Sequence, residues 1–267
     1  MPRLRGCPVP DGAPTRAMVL AAGLGTRLRP LTDRVPKCMI PVGGRPLLEY
    51  TLEWLRSYGV VDVVINVHHL PDIVRDHFGD GTAYGLRIVY SYETELLGTA
   101  GAVKRVASLF NRSFYVWYGD NLSTCRLDRL WELHRRRGGV ATMALFHRDD
   151  PTQSGIADLD DDRIRRFVEK PAAAEVFSHW VNAGILVLEP RVLDSIPTTG
   201  LVDFGRDVFP MLLARGEPLY GYRMSPDEGF WWIDRPEDLT RVERMWPMDP
   251  RRPGNTAVRG ADACRWT

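Results

Sequence analysis

The sequence predicts an α/β protein built on a doubly wound, mostly parallel sheet, with a β-rich elaboration in its second half. Up to about residue 138, short β-branched and aromatic runs alternate with segments of helical spacing. Such alternation is typical of parallel sheets covered by helices. After about residue 139, the strand-like runs follow one another more closely. At 267 residues and 44% hydrophobic composition, the chain is long enough to bury a full core.

The first half contains four predicted strands and three predicted helices. Residues 17–20, 60–67, 86–92 and 114–118 are short β-branched or aromatic runs. Residues 46–57, 99–110 and 127–137 have helical spacing, and Pro46 falls in the first turn, where a helix tolerates proline. The second half contains predicted strands at 139–147, 155–160, 163–168 and 181–188, without a hexapeptide repeat.

This pattern predicts one domain over 15–246, with halves at about 15–138 and 139–246. Residues 1–14 contain four prolines and predict a flexible leader. Residues 247–267 are rich in arginine, proline and glycine and predict a flexible tail.

Composition excludes several classes of protein. Lys+Arg total 35 against Asp+Glu 34, so no broad basic face for nucleic acid is expected. No apolar run approaches the roughly 20 residues that span a bilayer, and no secretory signal follows the N-terminal arginines. The four cysteines show no paired spacing, which predicts neither zinc nor disulfides and suits the cytoplasm.

The most informative segment is the glycine-containing loop that follows the first predicted strand. Glycines allow a tight turn whose N–H groups can meet phosphate oxygens, and Arg27 and Lys37 add positive charge. The loop matches neither a Walker A sequence nor a complete Rossmann fingerprint. We therefore expect it to hold a nucleoside triphosphate through residues Leu20, Ala21, Ala22, Gly23, Gly25 and Thr26.

The chain resembles the sugar-phosphate nucleotidylyltransferases, also called nucleotide-sugar pyrophosphorylases, over about residues 16–245. The resemblance rests on segments 23–27, 36–42 and 45–50, which match the order of the family signature. It implies a Rossmann-like, GT-A-like nucleotidyltransferase fold. It also implies catalytic roles for Arg27, Lys37 and Asp120.

Two aspartates are expected to hold Mg²⁺. Asp120 follows a predicted strand, where a carboxylate faces the ligand crevice of a parallel sheet, and the resemblance makes it a metal ligand. Asp234, in Trp-Ile-Asp, matches the second family ligand in two workable alignments, one of them the choline-phosphate cytidylyltransferase pattern. The alternatives are an ordinary turn at Asp120 and a helix N-terminal acid at Asp234.

The second half carries motifs that resemble the sugar-binding side of the family. Glu169 and Lys170 stand in Glu-Lys-Pro, Asn182 in Asn-Ala-Gly, and Gly155 matches a family glycine. The resemblance implies that the polar side chains bind sugar hydroxyls and phosphate. Ser154 replaces the usual tyrosine, which leaves open how the sugar is held.

Base selection is expected near residues 93–101. Glu93, Gly98 and Thr99 lie in a segment that resembles mannose-1-phosphate guanylyltransferases. A Glu93 carboxylate can accept both Watson–Crick donors of guanine. The alternative is that Glu93 is an exposed acid at a strand end.

Together these features predict an enzyme that joins a sugar 1-phosphate to a nucleoside triphosphate and releases pyrophosphate, with mannose 1-phosphate and GTP favoured. The expected cofactor is Mg²⁺, no nucleic-acid or membrane partner is expected, and homo-oligomerisation is left open. The alternatives are a cytidylyltransferase for choline phosphate or a phosphonate, and a non-catalytic regulatory subunit that binds a nucleotide sugar.

Overall fold

A computed structural model describes residues 9–246, in which strands and helices alternate. The strands are β1 (Arg16–Leu20), β2 (Pro41–Val42), β3 (Arg45–Pro46), β4 (Asp62–Val67), β5 (Arg87–Tyr92), β6 (Phe114–Tyr118), β7 (Asn121–Ser123), β8 (Ala141–His147), β9 (Gly155–Asp160), β10 (Arg163–Glu169), β11 (Trp180–Leu188), β12 (Leu219–Arg223) and β13 (Phe230–Trp232). The helices are α1 (Leu47–Ser57), α2 (Pro71–Phe78), α3 (Gly98–Arg105), α4 (Leu127–Arg137), α5 (Phe209–Ala214) and α6 (Pro236–Met245).

The described chain forms two compact units. Unit 1 combines residues 9–92, 118–124 and 229–246, and unit 2 combines 93–117 and 125–228. Both units are therefore assembled from segments that are distant in the sequence.

Unit 1 contains parallel strands in the order β5, β4, β1. Leu20 of β1 pairs with Asn66 of β4, so both strands end at the same edge of the sheet. β1 is apolar and buried along its length after Arg16, as expected for a strand covered on both faces. The loop that follows β1 consequently begins at the carboxyl edge of a parallel sheet, where ligands bind in α/β proteins.

A hydrophobic cluster in unit 1 supports the segments that follow this edge. Leu28, Leu122, Trp231, Ile233 and Trp246 are among its buried members. The Trp246 ring packs edge-on against Trp231, with centroids 5.0 Å apart. The cluster therefore joins the glycine loop, β7, β13 and α6 in a single core.

Unit 2 is built around a mixed sheet in the order β6, β11, β8, β12, β10, β9. β11 runs antiparallel to β6 and β8, whereas β12 runs parallel to β8. Only two residues connect β9 to β10, and such short connections produce antiparallel neighbours. Unit 2 therefore accounts for the β-rich second half.

The α/β fold class is confirmed, and several predicted elements keep their boundaries. The strand at 114–118, the helix at 127–137 and the strand at 155–160 match the structure. The predicted helix at 99–110 is shorter, because α3 ends at Arg105 and a 3₁₀ turn follows at Ala107–Leu109.

Several predictions concern residues that the structure does not describe. The described residues do not include the predicted tail at 247–267 or residues 1–8 of the predicted leader. Cys7 and Cys264 fall in these two segments. Cys38 and Cys125 are buried free thiols. Within residues 9–246, none of the helices combines the length and apolar character needed to cross a membrane.

Candidate active site

The loop after β1 presents a run of unpaired backbone N–H groups. Ala21 N donates to Asn66 Oδ1 at 2.8 Å, so this amide serves the fold. Among the described residues, the next five amides, at 22–26, have no hydrogen-bond partner. Because buried or clustered N–H groups require acceptors, this run is suited to an anion.

Gly25 holds the loop against the stem of Lys37. Its φ of 60° lies in the left-handed region, which glycine enters at little cost. A Cβ at this position would lie 2.9 Å from Thr32 Cγ2 and 3.1 Å from Lys37 Cβ. Thr32 Oγ1 also donates to Gly25 O at 2.9 Å. A side chain at residue 25 would therefore displace either the loop or Lys37.

Lys37, Asp120 and Asp234 form the charged centre of unit 1. Lys37 Nζ lies 2.6 Å from Asp120 Oδ2 and 2.9 Å from Asp234 Oδ1. The lysine side chain is 9% exposed, whereas the aspartates are 37% and 25% exposed. The buried ammonium is thus neutralised by two carboxylates that solvent can reach.

The pairing of β7 with β13 brings the two aspartates together. Asn121 lies opposite Trp232 in this antiparallel pair, so Asp120 and Asp234 leave the same end of the two strands. Gly119 N donates to Leu20 O at 2.9 Å, and a Cβ at Gly119 would lie 2.9 Å from Val19 Cγ1. Asp120 is therefore held close to the edge where β1 ends.

Arg27 and Asp238 complete the surroundings of Asp234. Arg27 Nη2 lies 3.2 Å from Asp234 Oδ1, with the arginine half exposed. Asp238 Oδ2 accepts hydrogen bonds from Asp234 N at 3.1 Å and Arg235 N at 3.0 Å at the start of α6. Asp238 therefore fixes the backbone that carries Asp234, a role that the sequence alone does not reveal.

Burial and charge act in opposite directions on the Lys37 ammonium. Burial alone would lower the pKa of Lys37, but the adjacent Asp120 and Asp234 carboxylates outweigh it, and the pKa lies above its ordinary value. The neighbouring Cys38 thiol is buried near Asp120, which raises its pKa to about 12. Lys37 is therefore a fixed cation, and Cys38 is not a thiolate at neutral pH.

The two aspartates fit the donor set of a Mg²⁺ ion. Mg²⁺ commonly takes one or two protein carboxylates and fills its other positions with phosphate oxygens and water. Asp120 and Asp234 already converge on one cationic atom, Lys37 Nζ. Among the described residues, no cluster of three or more His, Cys, Asp or Glu side chains forms a fuller metal site.

In unit 2, Glu93, Gly98 and Thr99 are engaged with neighbouring backbone. Glu93 is buried, and its Oε2 accepts from Leu97 N at 3.1 Å. A Cβ on Gly98 would collide with the Val202 carbonyl. Thr99 Oγ1 donates to Asp203 Oδ2 at 2.8 Å and accepts from Phe204 N at 2.9 Å. These contacts hold the loop that carries Glu93, Gly98 and Thr99 in place.

Glu169 lies in a narrow slot of unit 2. It stands opposite Gly155 in the β9–β10 pair. Among residues 9–246, its half-buried carboxylate has neither a hydrogen-bond nor an ion-pair partner. Burial raises the pKa of this carboxyl above its ordinary value, and Asp203 adds to the rise. Such an unpaired acceptor is suited to a ligand hydroxyl.

Lys170 and Asn182 lie where the backbone of unit 2 departs from regular strand geometry. Lys170 is exposed and has a φ of 49°, and its N donates to Ser154 O at 3.1 Å. Asn182 Oδ1 accepts from Gly184 N at 2.9 Å where β11 loses its regular register. The Asn182 amide donors have no partner among the described residues.

Comparisons with known proteins are consistent with these observations. Residues 16–241 match the family model described as "Nucleotidyl transferase". A UTP–glucose-1-phosphate uridylyltransferase from Synechocystis is 37% identical over 246 residues, covering 86% of this chain and 61% of the relative. A mannose-1-phosphate guanylyltransferase from Mycobacterium tuberculosis is 38% identical over 229 residues, covering 84% and 62%.

The fold also matches solved structures. A Bacillus anthracis protein provisionally assigned as a glucose-1-phosphate thymidylyltransferase, solved with sucrose, has a TM-score of 0.77 and 25% identity. The match covers 86% of this chain and 94% of that protein. By contrast, the chain spans only about three fifths of the length of the two curated relatives named above.

Proposed function

The chain belongs to the nucleotidyl transferase family, and we propose that it joins a sugar 1-phosphate to a nucleoside triphosphate with release of pyrophosphate. The observation that carries this proposal is the convergence of Lys37, Asp120 and Asp234 beside the loop of unpaired amides. A polyphosphate requires both anion-binding donors and cations, and unit 1 supplies the amides at 22–26 as donors and Lys37 as a cation.

The proposed reaction needs positioning and charge stabilisation rather than a protein nucleophile. An oxygen of the sugar phosphate attacks the α-phosphorus in line, and the bond to the β-phosphate oxygen breaks as pyrophosphate leaves. The amides at 22–26 and Lys37 hold the triphosphate. Arg27, which is half exposed beside Asp234, neutralises the charge that develops on pyrophosphate.

Asp120 and Asp234 would hold the Mg²⁺ ion, which supplies positive charge to the phosphate oxygens when bound. Asp238 keeps Asp234 in place through two backbone hydrogen bonds. Asn121 Nδ2 donates to Asp120 Oδ1 at 3.0 Å, which leaves Asp120 Oδ2 facing Lys37. The residues of unit 1 thus orient both carboxylates before substrate binds.

Unit 2 would supply the contacts to the sugar phosphate. The Glu169 carboxylate accepts a hydrogen bond from a sugar hydroxyl, and the free amide donors of Asn182 reach a second hydroxyl oxygen. Lys170 is exposed and meets the phosphate as a compact charge. Gly155 leaves the space in which Glu169 lies.

We favour GTP and mannose 1-phosphate as the substrate pair. The supporting features are Glu93, the Gly98-Thr99-Ala100-Gly101 motif and the similarity to a mannose-1-phosphate guanylyltransferase. Glu93 Oε2 already accepts from Leu97 N, but a carboxylate oxygen has two lone pairs and can accept a second donor. The similarity to a uridylyltransferase makes UTP with glucose 1-phosphate the main competitor.

A matrix of substrate pairs tests the proposal, with pyrophosphate release as the readout. It combines GTP, UTP, dTTP, CTP and ATP with mannose 1-phosphate, glucose 1-phosphate and choline phosphate. Turnover should be highest with GTP and mannose 1-phosphate and should be lost in Asp120→Asn. Preference for CTP with choline phosphate would favour the cytidylyltransferase alternative. Absence of turnover with every pair, in a folded protein that still binds nucleotide sugars, would favour the non-catalytic subunit.

A further inference from the structure

Gly205, like Gly155, lies against the Glu169 carboxylate. A Cβ built on Gly205 would come far closer to Glu169 Oε2 than the 3.0 Å below which neighbouring atoms must shift. The same Cβ would lie 2.9 Å from Glu169 Cδ and 3.2 Å from Cγ. A Cβ on Gly155 would also collide with Glu169 Oε2. Gly155 and Gly205 therefore both line the slot in which this carboxylate lies.

The backbone at Gly205 does not itself require glycine. Its φ lies outside the left-handed region, unlike that of many other glycines in the described chain. Gly205 is buried in the π-helical turn Phe204–Val208, and π-helical turns frequently occur at functional sites. Glycine is thus required at position 205 because Glu169 occupies the space that a Cβ would need, and not because of the backbone conformation.

The turn that carries Gly205 is firmly held. Asp203 Oδ1 accepts from Gly205 N at 2.9 Å and from Arg206 N at 3.2 Å. The Phe209 ring stacks on Phe204 and packs edge-on against Phe167 of β10, at centroid distances of 5.6 and 5.3 Å. Because the turn is anchored to the strand that carries Glu169, it cannot easily retreat from an added methyl group.

We infer that Gly205 is a positioning residue that sets where the Glu169 carboxylate meets the sugar 1-phosphate, and thereby sets affinity for that substrate. The inference rests on the proposed function, in which Glu169 binds a sugar hydroxyl. An added methyl group at residue 205 would move the end of a flexible side chain and leave the backbone in place. Since alanine also has the higher helix propensity, Gly205→Ala should fold normally with Glu169 displaced.

Steady-state kinetics of Gly205→Ala test the inference. The KM for the sugar 1-phosphate should rise by about 10–100-fold, the range expected when one hydrogen bond to a charged acceptor is lost. The KM for the nucleoside triphosphate should stay within about twofold. Adding Glu169→Asp, which shortens the side chain by one methylene, should restore much of the sugar affinity in the Gly205→Ala background.

Gly155→Ala is the matched control. Its Cβ would collide with the Phe167 ring as well as with Glu169, so Glu169→Asp should not rescue it. A second readout needs no substrate: NMR titration of ¹³C-labelled glutamate carboxyls. In the wild type, burial raises the pKa of Glu169 above its ordinary value, and Gly205→Ala should lower it as the carboxylate moves toward solvent.

The outcomes separate this inference from the proposed function. An unchanged sugar KM together with an unchanged Glu169 titration would overturn the positioning role, as would a KM increase that Glu169→Asp fails to relieve. If the wild type turned over no substrate pair while Gly205→Ala still shifted the titration, the proposed function would fail and the positioning of Glu169 would stand.

Discussion

Replacing Lys37 with methionine would remove the cation that Asp120 and Asp234 share. The lysine makes hydrogen bonds of 2.6 and 2.9 Å, one to each carboxylate. A divalent ion that uses the same two oxygens must displace at least one of these bonds. Since a hydrogen bond to a charged group contributes about 1.5–3 kcal/mol, Lys37→Met should tighten metal binding by about 10–100-fold.

The same substitution should have the opposite effect on turnover. Without Lys37, the triphosphate loses a fixed cation, and loss of such a stabilising group commonly lowers kcat by about 10²–10³. Tighter metal binding together with slower turnover would distinguish a lysine that occupies the metal position from one that merely supports the fold, because a disrupted fold would weaken both.

Titration of Mn²⁺ followed by electron paramagnetic resonance, without nucleotide, measures the metal affinity directly. Lys170→Met is the matched control: this lysine is exposed, has no ion-pair partner among the described residues, and should leave Mn²⁺ affinity unchanged. Circular dichroism melts would establish that both variants fold. Unchanged or weaker Mn²⁺ binding by a folded Lys37→Met protein would refute the reasoning.

Four further predictions address other residues of the proposed site. Arg27→Ala should lower kcat by about 10²–10³ with little change in Tm, because exposed ion pairs contribute little stability; near-normal kcat would contradict its role. Asp234→Asn should abolish turnover or shift it to much higher Mg²⁺ concentrations. If the variant depends on Mg²⁺ concentration as the wild type does, Asp234 is not a metal ligand. Glu93→Gln should reduce the ratio of turnover with GTP to turnover with UTP. An unchanged ratio would mean that Glu93 only holds its own loop in place. Glu169→Gln should raise Tm at pH 7, because the raised pKa of Glu169 means that the stability it contributes is lost as pH rises through that pKa; equal Tm values for the variant and the wild type at pH 7 would contradict this.

Local patterns were sufficient to predict many elements of unit 1. β1 is a short apolar run closed by a glycine break, and the loop after it was identified from Gly23, Gly25, Arg27 and Lys37. Helix α2 was not predicted, although Leu70-Pro71-Asp72 offers a proline at the first helical position and an acid in the first turn. Only two residues of this helix, Val74 and Phe78, are buried, so its apolar pattern is too sparse to indicate a helix.

The position of Asp234 relative to Asp120 could not be derived from local sequence. It depends on the register of β7 with β13, two strands of three residues each that pair across the chain. Strands this short carry almost no periodic signal. The alignment of Asp234 rested on resemblance alone, and its ion pairs with Lys37 and Arg27 are found only in the structure.

The residues that hold the loops of the proposed site also could not be identified from the sequence. Asn66, Asp203 and Asp238 each bond to backbone N–H groups of a loop that carries a proposed site residue. Asparagine and aspartate are common in ordinary turns and caps, so composition gives no reason to single these out. Likewise, nothing before the structure indicated that Gly205 faces Glu169.

The discontinuous make-up of unit 1 has a consequence for protein synthesis. Asp234 comes 197 positions after Lys37, whereas Asp120 comes 83 positions after it. At roughly 5–20 residues per second, a ribosome translates the codon for Asp120 many seconds before that for Asp234. A nascent chain in that interval carries the anion loop, the lysine and a single carboxylate, without β13 to pair with β7. The charged centre is therefore completed only after Asp234 has been translated, and fragments that stop before Asp234 carry half of the proposed metal site.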